Sequence, residues 1–460
     1  MKPEISAHFK SRKPSPIRLA QIEFLKRSGS VIDINVAIGN VSLPMHPAMQ
    51  KRMFNLKAKG TPFENGAVKY TSSAGTKEAN DAVLNIIASS RFETKGLHSQ
   101  ITDGGSQAME LAILGVCGEA GTDEKPLLTI DAAYSNYMLF AKRVGRKTVS
   151  ITRKLLENGK FELPKIDEIE EVIKKYRPGG MVIIPYDNPT GQFFEQEKII
   201  SLAKLCVKYN MWIISDEAYR ELYYVKGKAS SIWGIGEKEV PGIEGRRISI
   251  ESSSKVWNAC GLRIGALVTD NLEFHEKSVA EYTANLCANE IGQYIFGALA
   301  HESHEKLNEW YLQQRAYYKK MIVEISEEIK HILPGVIVSS PDASIYSVID
   351  VRKIVNNDFD SAKFVHWCAR EGKVEVDGKE MTLLVAPMAG FYSEKEGMEN
   401  PGKKQMRIAY VETPERMKLV PMLFCKLIKI YEGKEHTKCK CEGECKIELE
   451  KKISDVFSDA

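Results

Sequence analysis

In the stretch SSSKVWNACGLRIG, residues 252–265, Lys255 follows three serines, and Arg263 stands eight residues later inside a Gly-x-Arg-x-Gly pattern. A lysine that follows a strand can be desolvated, and its neutral amine then attacks aldehydes. Ser252 and Arg263 are the types that hold a phosphate, one by its hydroxyl and one by a planar fork of donors. Alone, a lysine beside serines is usually just a solvated side chain. In YDNPTGQ, residues 186–192, Asn188 follows the apolar run 181–184. That places it at the carboxyl end of a strand, the edge at which open α/β sheets bind ligands, although the same tetrapeptide also serves as a plain turn.

In WIISDEAY, Asp216 ends an apolar strand and Tyr219 follows three residues on. A carboxylate there is costly unless a positive group faces it; the bland alternative is a helix N-cap. In TDGGSQAMELAI, the amides of Gly105, Ser106 and Gln107 stand where a helix begins, which makes either an anion site or a routine cap. In MRIAY, Arg407 lies within an apolar run and calls for a carboxylate from the protein or from a ligand.

The elements that must position these residues follow from periodicity. Between about residues 100 and 270, strand-like runs (LLTIDA, GMVIIPY, WIISDEAY, RRISIES, IGALVTD) alternate with helical patterns such as Ala108, Leu111, Ala112, Gly115 and Val116. This predicts an α/β fold, a mostly parallel sheet covered by helices. From about 310 a long charged helical stretch, a strand-like ASIYSVIDV and a helical run near 361–371 predict a smaller α+β unit. The expected organisation is an N-terminal arm with part of the small domain (1–44), a large domain (45–310), a C-terminal small domain (311–434) and a charged tail (435–460).

Composition bounds the partners. With 64 basic against 61 acidic residues, the formal charge of +3 offers little attraction for nucleic acid or an anionic membrane. No apolar run is long enough to span a bilayer, and the basic, Pro- and Ser-containing N-terminus lacks the apolar core of an export signal. The nine cysteines, odd in number and mostly scattered, fit reduced thiols in a cytoplasm. In the tail, His436, Cys439, Cys441 and Cys445 lack the paired Cys-x2-Cys knuckles of zinc sites. A solvated, reduced tail without metal is expected there, with a soft-metal or regulatory site as the alternative.

A lysine, an acid at a strand end, an Asn, a Tyr and two phosphate-binding elements are together the parts needed to hold pyridoxal phosphate. Their order and spacing over roughly residues 30–430 resemble the class I and II, or fold-type I, pyridoxal-phosphate aminotransferases. The resemblance implies a seven-stranded, mostly parallel sheet with helices on both faces. It implies that Lys255 forms the internal aldimine and later moves a proton, and that Asp216 pairs with the pyridinium nitrogen. Asn188 and Tyr219 would bond the ring's phenolic oxygen, while Ser252, Arg263 and the Gly105, Ser106 and Gln107 amides would hold the phosphate. Tyr134, in DAAYSNY, matches the aromatic that stacks on the ring; its alternative is a core tyrosine. The segment VAIGNVSLP would set Gly39 near the substrate carboxylate gripped by Arg407, and KYTSSAGTKEA would send Tyr70 to the neighbouring subunit's phosphate, so a homodimer with shared sites is implied. Ser253, Asn80 and the stretch 386–391 depart from many members and leave the subfamily open.

The implied activity is transfer of an amino group between an L-amino acid, of aspartate or aromatic type, and a 2-oxo acid such as 2-oxoglutarate, in a ping-pong cycle. The same parts would serve a carbon–sulfur β-lyase. A regulator that uses this fold to bind an effector needs a DNA-binding domain, and the roughly 30 residues before the family-like region are too few for one.

Overall fold

The computed structural model describes residues 3–433 apart from Pro341; the tail with His436, Cys439, Cys441 and Cys445 lies outside them. The chain forms two compact units. The larger comprises Asn40–Ile322 with Ser339–Tyr346, and the other comprises the chain up to Gly39, Val323–Val338 and the part from Ser347 onward. The division falls within the long helix His304–Ile332.

The larger unit is built on a seven-stranded sheet, its strands numbered here along the chain: β1 His98–Asp103, β2 Leu127–Asp131, β3 Thr148–Thr152, β4 Gly180–Ile183, β5 Trp212–Asp216, β6 Arg247–Ser252 and β7 Ile264–Thr269. Their order is β1-β7-β6-β5-β4-β2-β3. Strand β7 pairs antiparallel with both β1 and β6, whereas the remaining pairs are parallel. Every residue of β2, β4 and β7 is buried, as a sheet covered on both faces requires. The apolar periodicity accounts for the cover. Helix Gly104–Val116 buries Ala108, Leu111, Ala112 and Val116 in one core with Val182, Ile214, Ile250 and Leu267. Helix Gln196–Lys208 buries Ile199, Leu202, Ala203 and Cys206. Each large aliphatic side chain so removed from water contributes about 1.5–3 kcal/mol.

The reversal of β7 has a chemical consequence. Residues that follow β1, β5 and β6 emerge at the carboxyl edge, and because β7 runs the other way, the residue preceding it emerges there too. Register confirms the convergence: Ile264 lies opposite Asp103, and Gly265 opposite both Thr102 and Ser252. Gly265 also lets helix Gly104–Val116 begin against the sheet, since a Cβ there would strike the backbone of Gly104 and Gly105. Gly265→Ala is therefore expected to destabilise the protein by about 1–3 kcal/mol through overpacking against backbone that cannot yield. A thermal melt equal to wild type would contradict this close approach.

In the other unit, strand Ile32–Asn35 pairs in parallel with Lys379–Leu384, and Gln405–Ala409 pairs antiparallel with Ala386–Pro387. Helices Ser361–Arg370 and Val420–Tyr431 bury apolar faces including Phe364, Val365, Leu423 and Phe424. No helix among the described residues is long and apolar enough to cross a membrane.

Candidate active site

The residues expected to hold a phosphate meet at the start of helix Gly104–Val116. Asp103, at the N-cap position, makes no side-chain capping bond; its carboxylate accepts instead from Tyr282 Oη at 2.7 Å. The first-turn amides of Gly105, Ser106 and Gln107 thus lack a side-chain cap, and the helix dipole favours an anion beside them. Ser252 adjoins that turn, because a Cβ on Gly105 would meet Ser252 Cβ at 3.7 Å. Arg263 adjoins it as well. Its backbone takes φ +55°, its Nη1 donates to Cys260 O at 3.0 Å, and its guanidinium lies against Gly104 so closely that a Cβ there would collide with it. Gly104 itself has φ +78°, so only glycine meets both requirements without strain.

Asp216 ends β5, and no helix follows it to be capped. Its Oδ2 accepts from Tyr137 Oη at 2.5 Å and its Oδ1 from the Ala218 amide at 3.1 Å. Neither partner carries charge, and no cation pairs with it among the described residues. Burial pushes its pKa up; the two hydrogen bonds oppose the rise, and the like charges of Glu251 and Asp187 add to it. A half-buried acid with only neutral donors leaves room for a positive group beside it.

Asn188 is buried in the turn after β4. The turn is drawn together with Tyr219 by segment 342–346: Ala343 N donates to Gly191 O at 2.7 Å, Ser344 N to Leu222 O at 2.8 Å, and Tyr219 Oη meets Tyr346 Oη at 2.9 Å. Tyr134, half-buried, sets its ring edge-on to Tyr137 at 5.5 Å between centroids.

Lys255 is half-buried in the turn directly after β6. Its carbonyl accepts from Asn258 N at 3.2 Å. The Asn258 side chain donates to Pro44 O at 3.0 Å and to Gln314 Oε1 at 3.2 Å. Trp257 stacks on Trp310, rings 6.5 Å apart and 5° from parallel. The lysine's backbone is therefore anchored on both sides of the turn. Ser253 is turned away, its Oγ donating to Ile264 O at 2.9 Å.

In the other unit, Arg407 is buried in strand Gln405–Ala409. Its Nη2 donates to Ala37 O at 2.7 Å, two residues before Gly39, and its guanidinium lies 5.1 Å from the Phe391 ring. Tyr70 is 79% exposed.

Residues 46–382 match the class I and II aminotransferase family. The chain belongs to that family. It is 25% identical over 316 residues to a probable aspartate/prephenate aminotransferase of Aquifex aeolicus, covering 68% of this chain and 76% of the relative. It is 22% identical over 382 residues to an aspartate aminotransferase of Musicola paradisiaca, covering 80% and 87%. Among solved structures it superposes on N-succinyldiaminopimelate aminotransferase of Mycobacterium tuberculosis with a TM-score of 0.75 at 17% identity, over 92% of this chain and all of that one. That last likeness concerns the fold.

This aminotransferase is an enzyme of a family that uses pyridoxal phosphate, and the residues present fit that group. An uncapped helix start with a serine and an arginine beside it suits the phosphate, and an acid lacking a cation suits a protonated ring nitrogen. Reasoning from the sequence missed Tyr137. Its only signal was a position three residues after Tyr134, one helical turn along. Also missed was a buried ionic cluster attached to the same strand ends. Arg220 Nη2 lies 3.0 Å from Glu217 Oε2 and 2.6 Å from Glu251 Oε1, while Glu217 Oε1 accepts from Ser231 Oγ at 2.7 Å and Ile232 N at 3.0 Å. Burial pushes Glu217 up to about 7, Arg220 opposing the rise and Glu251 adding to it.

Proposed function

We propose that this aminotransferase holds pyridoxal phosphate on the carboxyl edge of its large sheet and moves the amino group between an L-amino acid and a 2-oxo acid such as 2-oxoglutarate. The observation that carries the reading is the half-buried carboxylate of Asp216 at the end of β5, with no cationic partner among the described residues. When bound, the cofactor supplies an electron-accepting ring joined to the donor's amino group.

The chain's own residues do the rest. Asp216, oriented by Tyr137, keeps a proton on the ring nitrogen. Asn188 and Tyr219 donate hydrogen bonds to the ring oxygen, and Tyr134 covers a ring face. Ser252, Arg263 and the amides of Gly105, Ser106 and Gln107 hold the phosphate against the helix N-terminus. Lys255 Nζ anchors the cofactor between turnovers and carries the proton that leaves the donor's α-carbon. Arg407 receives the substrate carboxylate through its planar fork, with Gly39 beside it. Tyr70 reaches the phosphate of the neighbouring subunit in a homodimer, for which its exposure leaves it available. The donor we assign is of aspartate or aromatic type, the former in keeping with the aspartate names of the two relatives, and the cytoplasm is the compartment we assign.

A panel of amino donors tests this. The expected result is conversion of bound cofactor to its amine form by one donor class, aspartate or an aromatic amino acid, followed by return on adding 2-oxoglutarate. Release of pyruvate and ammonia from a cysteine conjugate, with no amine form accumulating, would overturn the transaminase reading in favour of a β-lyase.

A further inference from the structure

Strands β4, β2 and β3 lie side by side, and one arginine side chain closes across their carboxyl ends. Arg153 follows β3. Its backbone N donates to Asp131 O at 2.6 Å, and its Nη2 donates to Ala132 O and, at 3.4 Å, to Ile130 O, all at the end of β2. Its Nη1 reaches across β2 to Asp187 Oδ2, after β4, at 2.7 Å. Both side chains of this ion pair are sealed from solvent, 1% and 2% exposed. The rings of Phe161 and Phe194 flank the guanidinium at 5.8 Å each. Asp187 is in turn the pivot of the next turn. Its carboxylate accepts from Thr190 Oγ1, and its carbonyl accepts from Gly191 N at 3.0 Å and from Ser344 Oγ at 2.9 Å.

A sealed ion pair gains little net stability over apolar residues of the same volume, because desolvation offsets most of the attraction. Its return here is geometric. A rigid fork of donors fixes several acceptors at once, and these lie at the end of β2, where Ile130 and Ala132 lead into the loop that carries Tyr134, and in the turn 187–191, which carries Asn188.

We propose that Arg153 and Asp187 are positioning residues that lock these two loops so that Asn188 and Tyr134 meet the cofactor ring in one fixed geometry. The inference rests on the cofactor reading above. A hydrogen bond donated to the ring oxygen favours its ionised form. Loosening Asn188 therefore raises the pH at which the lysine-bound cofactor loses its proton, a quantity read from the visible absorption without turnover.

The test is a pH titration of that absorption in full-length protein loaded with pyridoxal phosphate. Asp187→Asn removes the charge and keeps the shape; Arg153→Lys keeps the charge and removes the fork. Each is expected to raise the midpoint by about half a unit, the size of one weakened neutral hydrogen bond. In an Asn188→Ala background, Asp187→Asn is expected to add nothing further. Should a single variant fail to fold, the double variant Arg153→Met with Asp187→Leu, which leaves no unpaired charge, is expected to show the same rise. A folded variant with the wild-type midpoint, or a rise that persists undiminished without Asn188, overturns the inference. Unsubstituted protein that shows no pH-dependent band overturns the cofactor reading itself, a distinguishable result.

Discussion

Replacing Lys255 by alanine is expected to remove the lysine-dependent visible absorption of the loaded protein and to lower kcat on the order of 10⁴-fold or more. Two roles are lost together. A positioned base that moves a proton accounts for about 10²–10⁴-fold on its own, and the amine that anchors the cofactor aldehyde between turnovers disappears with it. The fold should survive, since the turn is held by backbone and by Asn258, Trp257 and Ser253 rather than by the lysine's length. The measurements are single-turnover conversion of a preloaded donor and the absorption spectrum. Wild-type turnover in the alanine variant would remove Lys255 from the chemistry.

Asp216→Asn is expected to separate function from stability. The substitution keeps the shape, keeps one oxygen to accept from the Ala218 amide, turns an NH2 toward the Tyr137 hydroxyl, which can accept from it, and deletes the charge. With no carboxylate to hold a proton on the ring nitrogen, kcat should fall about 10²–10³-fold, the typical cost of losing one preorganised electrostatic contact. The cofactor-free protein should melt no lower than wild type, because a half-buried carboxylate with only neutral partners, its charged form disfavoured by desolvation, adds nothing to the fold. The pH dependence has a definite sign. Burial raises the pKa of Asp216 above its ordinary 3.8, so the folded state binds the proton more tightly than the unfolded one. Its contribution to stability is complete below 3.8 and is lost as pH rises through the elevated folded value. The asparagine variant should lack this loss. A cofactor-free variant that melts several degrees lower across that range would show the carboxylate to be structural.

Much of the fold was legible because burial leaves its mark on short runs. Strands covered on both faces read as unbroken apolar segments, and helices read as one-sided stripes, so five of the sheet's seven strands and the main helical faces of the large unit could be placed from residue types alone. The candidate site was legible for a related reason. Asp216 and Asn188 stand just past apolar runs, Ser252 ends an alternating strand, and Gly104 and Gly105 mark a helix start by composition.

Partners supplied by distant segments were not legible. That Tyr137, and no cation among the described residues, faces Asp216 depends on how the helix after β2 packs beside β5, a contact spanning 79 positions. That Tyr219 meets Tyr346 spans 127. Such contacts are chosen by packing, and any of the chain's 18 tyrosines would look the same in the sequence.

Residue types and their spacing were enough to identify the reactive groups and their order: a lysine after a strand, an acid ending one, a serine and an arginine bracketing the lysine, and glycines where a helix begins. Local chemistry and periodicity suffice for that, because each residue's type answers to its own backbone position. Long-range packing decided that β7 runs backwards, which carries Arg263 to the edge where Ser252 and the Gly105 amide already stand. It likewise decided that Arg153 spans three strand ends to reach Asp187. Strand direction and long-range ion pairing follow from how whole elements bury one another, and no short stretch of sequence contains that information.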